Sequence, residues 1–389
     1  MRNYLDALPS YVEKIKAIRE IIITNIVLTG QIPAPTFHEN QRVNFLLDRL
    51  SEFQVDECTT DSFNNPICII RGTSPIKPPI FIAAHVDTFV KKEMEHNFTV
   101  GENTISGPGI TENSLAVGVL ASLPEIFKKL NLHFESDIVL TGVRQSLGQG
   151  NLKGIRQLLK TWPTPIRGAI ILESVELGRL NYYSEGMIRG EIDCSISTSH
   201  GHAYQFKPNA ILVINEVINQ ILKLRLPQKP RSRVVIGTIK GGFNHGEIAY
   251  DANIGFEIRS DSDDMVEELY NDISDIVEGI NHEYDVQLKL NTLIRLFAST
   301  LKFNHPLVKR SGLVMKKLNI DPVSSSSESE LSIFLSHKIP AVTLGLTMAN
   351  TMGHETATVE IEPLFKGIAQ VIGVLLAIDR GVTDERQLD

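Results

Sequence analysis

The residues best placed to do chemistry are His85 and Asp87, two apart in the segment PIFIAAHVDTFV, Pro79 to Val90. An imidazole binds a divalent metal through one ring nitrogen, and a carboxylate nearby can hold the other nitrogen and fix the tautomer. Side chains two apart in a strand share a face, so extended backbone puts both groups on one side. The same pair also fits a histidine merely satisfied at a strand end. Glu173 follows the apolar run Ala169 to Leu172, where a lone carboxylate is costly, so it calls for a metal or a salt bridge. Glu112 stands just before Asn113 and Ser114, either of which can cap a helix starting at Leu115. It is then a ligand, or a helix-start carboxylate gaining from the dipole.

These residues need strand ends and helix starts to position them, and the chain supplies both. Tyr11 to Thr29 has helical apolar spacing, TGQIPAPTFHE is a proline-broken loop, and Arg42 to Phe53 resumes helix. Apolar runs at Cys68 to Arg71, Pro79 to Ala84, Asp137 to Gly142 and Ala169 to Leu172 read as strands, with helices between the later ones. Such alternation predicts a largely parallel sheet with helices on both faces, and sites at the carboxyl ends of its strands. His85 and Glu173 both occupy that position.

From about Arg179 the texture changes. MIRGEIDCSIS alternates like an exposed strand, and Asn209 to Leu224 reads as a helix. Strands at Val234 to Ile239 and Ala252 to Ile258, an acidic helix from Asp261 to Ile280 and a strand at Val286 to Leu290 follow. After Phe297 the α/β texture returns with a helix at Pro306 to Leu318, a strand at Ala341 to Leu346 and a helix at Pro363 to Ile378. The expected organisation is an α/β domain, doubly wound, made of 1–178 and 298–389, with an inserted α+β lid at 179–297.

With 389 residues, a net charge of −8 and a pI near 5.8, the chain is a poor candidate for a general nucleic-acid or acidic-membrane binder. Its three cysteines are scattered and form no C-x-x-C pair, so a metal site must use histidine and carboxylates. No apolar run approaches the ~18 residues of a membrane span, and the charged start lacks a signal-peptide core. The expected location is the cytoplasm.

Read in order, QIPAPTFHE, HVDT, GPGITENSLAV, GQGNLKG, the strand ending in Glu173, GHAYQFKPNA, the IRS after a lid strand, IPAVTLGL and the GH at 353–354 resemble the dinuclear zinc exopeptidases and deacylases. That family includes peptidase T, carboxypeptidase G, aminoacylase and succinyl-diaminopimelate desuccinylase. The resemblance implies zinc, held by His85 and Glu173 at the first site and His354 at the second, with Glu112 at the bridging position in place of aspartate. It gives Asp87 and His202 catalytic roles, His202 as the lid histidine, and makes Arg259 a substrate-carboxylate anchor with Asn244 near the lid asparagine position. His200 and His202 also read as a solvated loop.

The chain departs from the pattern at one place. The family's glutamate pair, general base and second-metal ligand, falls on Ser146 and Leu147, and VRQSLGQGN contains no carboxylate. An attacking water must be deprotonated and oriented, and two metals need anionic ligands to offset roughly four charges, so at most one ion should be well held. Arg144 either fills the second-metal position and pairs with Glu112 or points to solvent. If Glu328, Glu330 or Glu355 reaches the cleft near His354, the missing ligand or base has been relocated. The expectation is an amide hydrolase for small peptides or N-acyl amino acids, homodimeric through Ala252 to Ile258 or Asn209 to Leu224, with weak or lost activity. The alternative is a pseudoenzyme that binds a peptide-like ligand or a protein partner in the same cleft.

Overall fold

The apolar run before His85 forms the strand Ile80–His85, buried at all six positions. In the computed structural model, which describes residues 4–196, 208–284, 286–351 and 356–384, this strand lies at the middle of a seven-stranded sheet. The order is Glu57–Thr60, Pro66–Ile70, Ile138–Val143, Ile80–His85, Gly168–Val175, Ala341–Thr347 and Leu180–Asn181. The four central strands run parallel and the outer pairings are antiparallel. Near-continuous Ile, Val and Leu in the centre follow from helices covering both faces.

Register brings the chemistry together. His85 lies opposite Val143, so the loop beginning at Arg144 starts where His85 ends. Glu173 lies opposite Gly345 at the same end of the sheet. The helices Leu115–Leu130 and Glu362–Asp379 contribute much of the surrounding core. The helix Arg19–Gly30 packs closely on the first of these at Gly118, where a Cβ would meet Ile26 Cα at 2.4 Å.

Local expectations need correction at four places. The single helix expected over Tyr11 to Thr29 is two, Tyr4–Lys16 and Arg19–Gly30, separated at Ala17 and Ile18 without proline or glycine between them. Neither Asn113 nor Ser114 caps a helix, because a π-helical turn, Ile110–Ser114, runs straight into Leu115–Leu130. Such turns widen a helix and recur at functional sites. His305, which as a lone histidine reads as a surface residue, is buried and caps the helix Pro306–Lys317 by accepting the Leu307 N–H at 3.1 Å. The strand over Ala252 to Ile258 is internal to its sheet and has no free edge for a strand-to-strand dimer.

The chain divides into two units, residues 4–183 with 300–384 and the segment Ser184–Ser299. The second has an antiparallel sheet in the order Ser232–Gly241, Asp251–Ser260, Gly186–Ser195 and Gln287–Leu296. Ile188, Ile192, Ile254, Phe256 and Ile258 share a core with Val213, Ile214 and Val217 of Ala210–Ile221 and with Leu269, Ile273 and Val277 of Asp263–Tyr284. Asn209 caps the first of these helices by accepting the Ile211 N–H at 3.0 Å. Among the described residues no helix is long and apolar enough to cross a membrane.

Candidate active site

His85 and Asp87 meet as their spacing requires. His85 Nδ1 lies 3.3 Å from Asp87 Oδ1 and 3.0 Å from the Asp87 carbonyl oxygen, so the proton belongs on Nδ1 and Nε2 is left for a ligand. Asp87 has no exposed surface; its Oδ2 accepts from Thr36 Oγ1 and from the Leu147 N–H, both at 2.9 Å. Burial alone would raise the Asp87 pKa, but the His85 imidazole and these donors bring it below the ordinary value. For His85 burial works toward the neutral ring. Asp87, Glu330 and Glu173 overcome it and push the imidazole up to about 10. That is the electrostatic signature of a place that favours a cation.

Around this pair is a cavity of about 390 Å³, lined by His85, Glu112, Ser146, Leu147, Glu173 and Arg179, and by the stretch Ser325 to Glu330. Glu173 keeps some surface toward it, yet its surroundings are dense enough that burial raises its pKa. The Glu112 carboxylate accepts the Phe89 N–H at 2.6 Å. Asn113 donates to the His85 carbonyl oxygen at 3.1 Å, which ties the π-helical turn to the strand end. A larger space of about 700 Å³ lies at the amino ends of the strands beside Gly168 and Pro340. It has no share in the His85 cluster.

The position that should carry the glutamate pair is filled differently. The Ser146 hydroxyl donates to Glu330 Oε1 at 2.5 Å, joining positions 184 residues apart in the chain. Glu330 is fully buried, and its Oε2 has no protein partner among the described residues. The loop that makes this contact is conformationally forced, with Gln145, Gly148, Asn151 and Leu152 all at φ between 51° and 56°.

Arg144 does not enter the second-metal position. It is buried and pairs with the buried Glu39, Nη2 to Oε2 at 3.0 Å, not with Glu112 and not with solvent. Glu39 also accepts the N–H groups of Phe37 and Gln145, at 2.9 and 3.1 Å. The sequence reading missed Glu39, Thr36 and Arg42. Arg42 is buried against the Val86 and Ile32 carbonyl oxygens. Burial draws its pKa down to about 10 against the pull of Asp87 and Glu112. A signal existed, since Arg42, Leu46 and Leu50 form one helical stripe and the arginine is its odd member.

Thus His85, Glu112, Glu173, Ser146 and Leu147 share one cavity, with Asp87 directly behind His85. Arg259 and Asn244 belong to the other unit. Arg259 is bound to Glu257 and lies 3.9 Å from Glu185, whereas Asn244 lies in the turn beyond the far end of the same strand. Roughly 25 Å of extended chain separates the two at the usual strand rise. His200, His202, His354 and Glu355 lie outside the described residues.

Residues 182–285 match the family model described as the peptidase dimerisation domain. No curated protein matches the chain. Among solved structures, a tripeptidase from Staphylococcus aureus superposes with a TM-score of 0.76 at 15% identity, covering 93% of this chain and 99% of that one. The aminopeptidase PepT from Bacillus cereus gives 0.73 at 16% identity, covering 92% and 98%. This is the M20 peptidase fold. A third M20 structure, described as a dinuclear metal-binding peptidase from Bacillus subtilis, gives 0.67 at 15% identity over 93% and 99%. The M20 fold accounts for the α/β domain and for the inserted domain that the family model matches.

Proposed function

We propose that this chain is a metal-dependent amide hydrolase for small peptides or N-acyl amino acids, with a rebuilt centre for one divalent ion. The observation that supports it is the buried Glu330 carboxylate, which stands against Ser146 in the cavity that holds His85 and Glu173. A carboxylate has been brought to the position where the loop itself carries none.

The donor set suits one ion better than two. His85 leaves a ring nitrogen free, Glu173 stands at the neighbouring strand end, and Glu112 lines the same cavity. Imidazole with carboxylates is a zinc-type set. Among the described residues, however, no three such groups converge tightly enough to hold an ion, and His354 is the donor by which the resemblance would complete the site. A bound zinc ion supplies Lewis acidity toward the carbonyl and a more acidic water. The chain's own part is to fix the imidazole through Asp87, to anchor Asp87 through Thr36 and the Leu147 N–H, and to hold the strand end through Asn113 and Arg42.

The lack of any carboxylate in VRQSLGQGN favours a second reading, a cleft that binds a peptide-like ligand without turnover. The two separate by elemental analysis of zinc-loaded, dialysed protein, followed by a hydrolysis panel of dipeptides, tripeptides and N-acyl amino acids. One retained ion with measurable turnover supports the hydrolase. Failure to retain any ion overturns it in favour of the binding cleft.

A further inference from the structure

The Ser146–Glu330 contact does more than fill space. Ser146 occupies Glu330 Oε1 and fixes the plane of the carboxylate, while Oε2 is left without a protein donor. A buried acceptor in that state is costly unless the molecules that enter the cavity supply the donor. The cavity lined by Glu330 is also the one lined by His85 and Glu173.

We infer that Glu330 is the proton acceptor of the hydrolysis, replacing the carboxylate missing at Ser146 and Leu147, with Ser146 as its positioning residue. This rests on the hydrolase reading above. In the step, Glu330 Oε2 takes one proton from water as the water oxygen bonds to the amide carbon. The same proton passes to the amide nitrogen as the C–N bond breaks. A carboxylic acid and an amine leave, and Glu330 returns ionised.

The test uses the full chain loaded with zinc and compares Glu330→Gln, Ser146→Ala and the exchange Ser146→Glu/Glu330→Gln. Glu330→Gln should keep its metal content and KM and lose kcat by ~10²–10⁴-fold. Ser146→Ala should lower kcat less, with KM and metal content unchanged. The exchange puts the carboxylate on the other side of the same contact and should recover part of the lost kcat, which a merely structural pair would not show. If Glu330→Gln fails to fold, Glu330→Asp, which keeps the carboxyl group but draws it back from Ser146, decides the matter: kcat should fall with metal content unchanged, and an unchanged kcat overturns the assignment. An unchanged kcat in Glu330→Gln overturns the assignment, as does loss of zinc from it, which would make Glu330 a ligand. If the wild-type chain retains zinc and hydrolyses nothing, the parent reading fails and takes this one with it.

Discussion

Arg144 shows how a charge can sit beside a candidate site without belonging to it. Its guanidinium is held by Glu39, and both groups are buried. Removing one partner of such a pair strands the other charge, whereas replacing both with apolar groups costs much less. Glu39→Ala should therefore lose about 3–5 kcal/mol in urea unfolding, and Glu39→Gln with Arg144→Met should lose clearly less. Equal losses would show that the pair does not act as a unit.

Asp379 gives a pH test away from the site. Its carboxylate accepts the N–H groups of Glu135 and Ser136, but burial outweighs these donors and the nearby Lys77 and Arg167 and raises its pKa. A carboxyl with a raised folded pKa binds its proton more tightly when folded. Its stabilising contribution is full below the unfolded value near ~3.9 and is lost as pH rises through the folded one. Asp379→Asn should therefore gain stability relative to the wild type between acid and neutral pH in thermal unfolding. A difference independent of pH would contradict the raised pKa.

Among the elements, the tightest constraint is the approach of Arg19–Gly30 to Leu115–Leu130 at Gly118. A methyl group there would meet Ile26 Cα at 2.4 Å and its backbone nitrogen at 2.7 Å. Backbone cannot yield as a side-chain tip can, so Gly118→Ala should lose about 1–3 kcal/mol despite its better helix propensity. A denaturant midpoint at or above the wild-type value would show that the two helices can separate freely. The π-helical turn at Ile110–Ser114 belongs to the same level. It delivers the Glu112 carboxylate to the Phe89 N–H and the Asn113 amide to the His85 carbonyl oxygen.

In the molecule as a whole, Ser184–Ser299 has a core of its own. Expressed alone it should fold cooperatively, giving a sigmoidal thermal transition by circular dichroism; a featureless melt would count against an autonomous unit. Its helix Ala210–Ile221 leaves Ile211 and Leu212 41% and 66% exposed, and we propose it as the contact of a homodimer, in keeping with the description of the matched family model. Light scattering should then give a dimer mass for the wild type and a monomer mass for Leu212→Glu; a monomeric wild type overturns the dimer, and a dimeric Leu212→Glu places the contact elsewhere.

Much of this was legible in the chain because the deciding forces are local. Apolar runs of strand length alternating with helical stripes gave the parallel centre, and a period of two put His85 and Asp87 on one side. Proline and glycine marked the loops. The missing carboxylates at Ser146 and Leu147 were equally visible. Glu330 stood out only as one of three relocation candidates, with Glu328 and Glu355, since Ser146 and Glu330 are 184 positions apart, and the Glu39 partner of Arg144, 105 positions away, did not stand out at all. Local spacing specifies which face a side chain takes, but long-range partners depend on how strands register and how a forced loop turns. Sequence therefore determined which strand ends carry His85, Asp87 and Glu173. Only packing decided that Arg144 turns to Glu39 and that Glu330 reaches Ser146, because each buried polar group must find its partner in space and not along the chain.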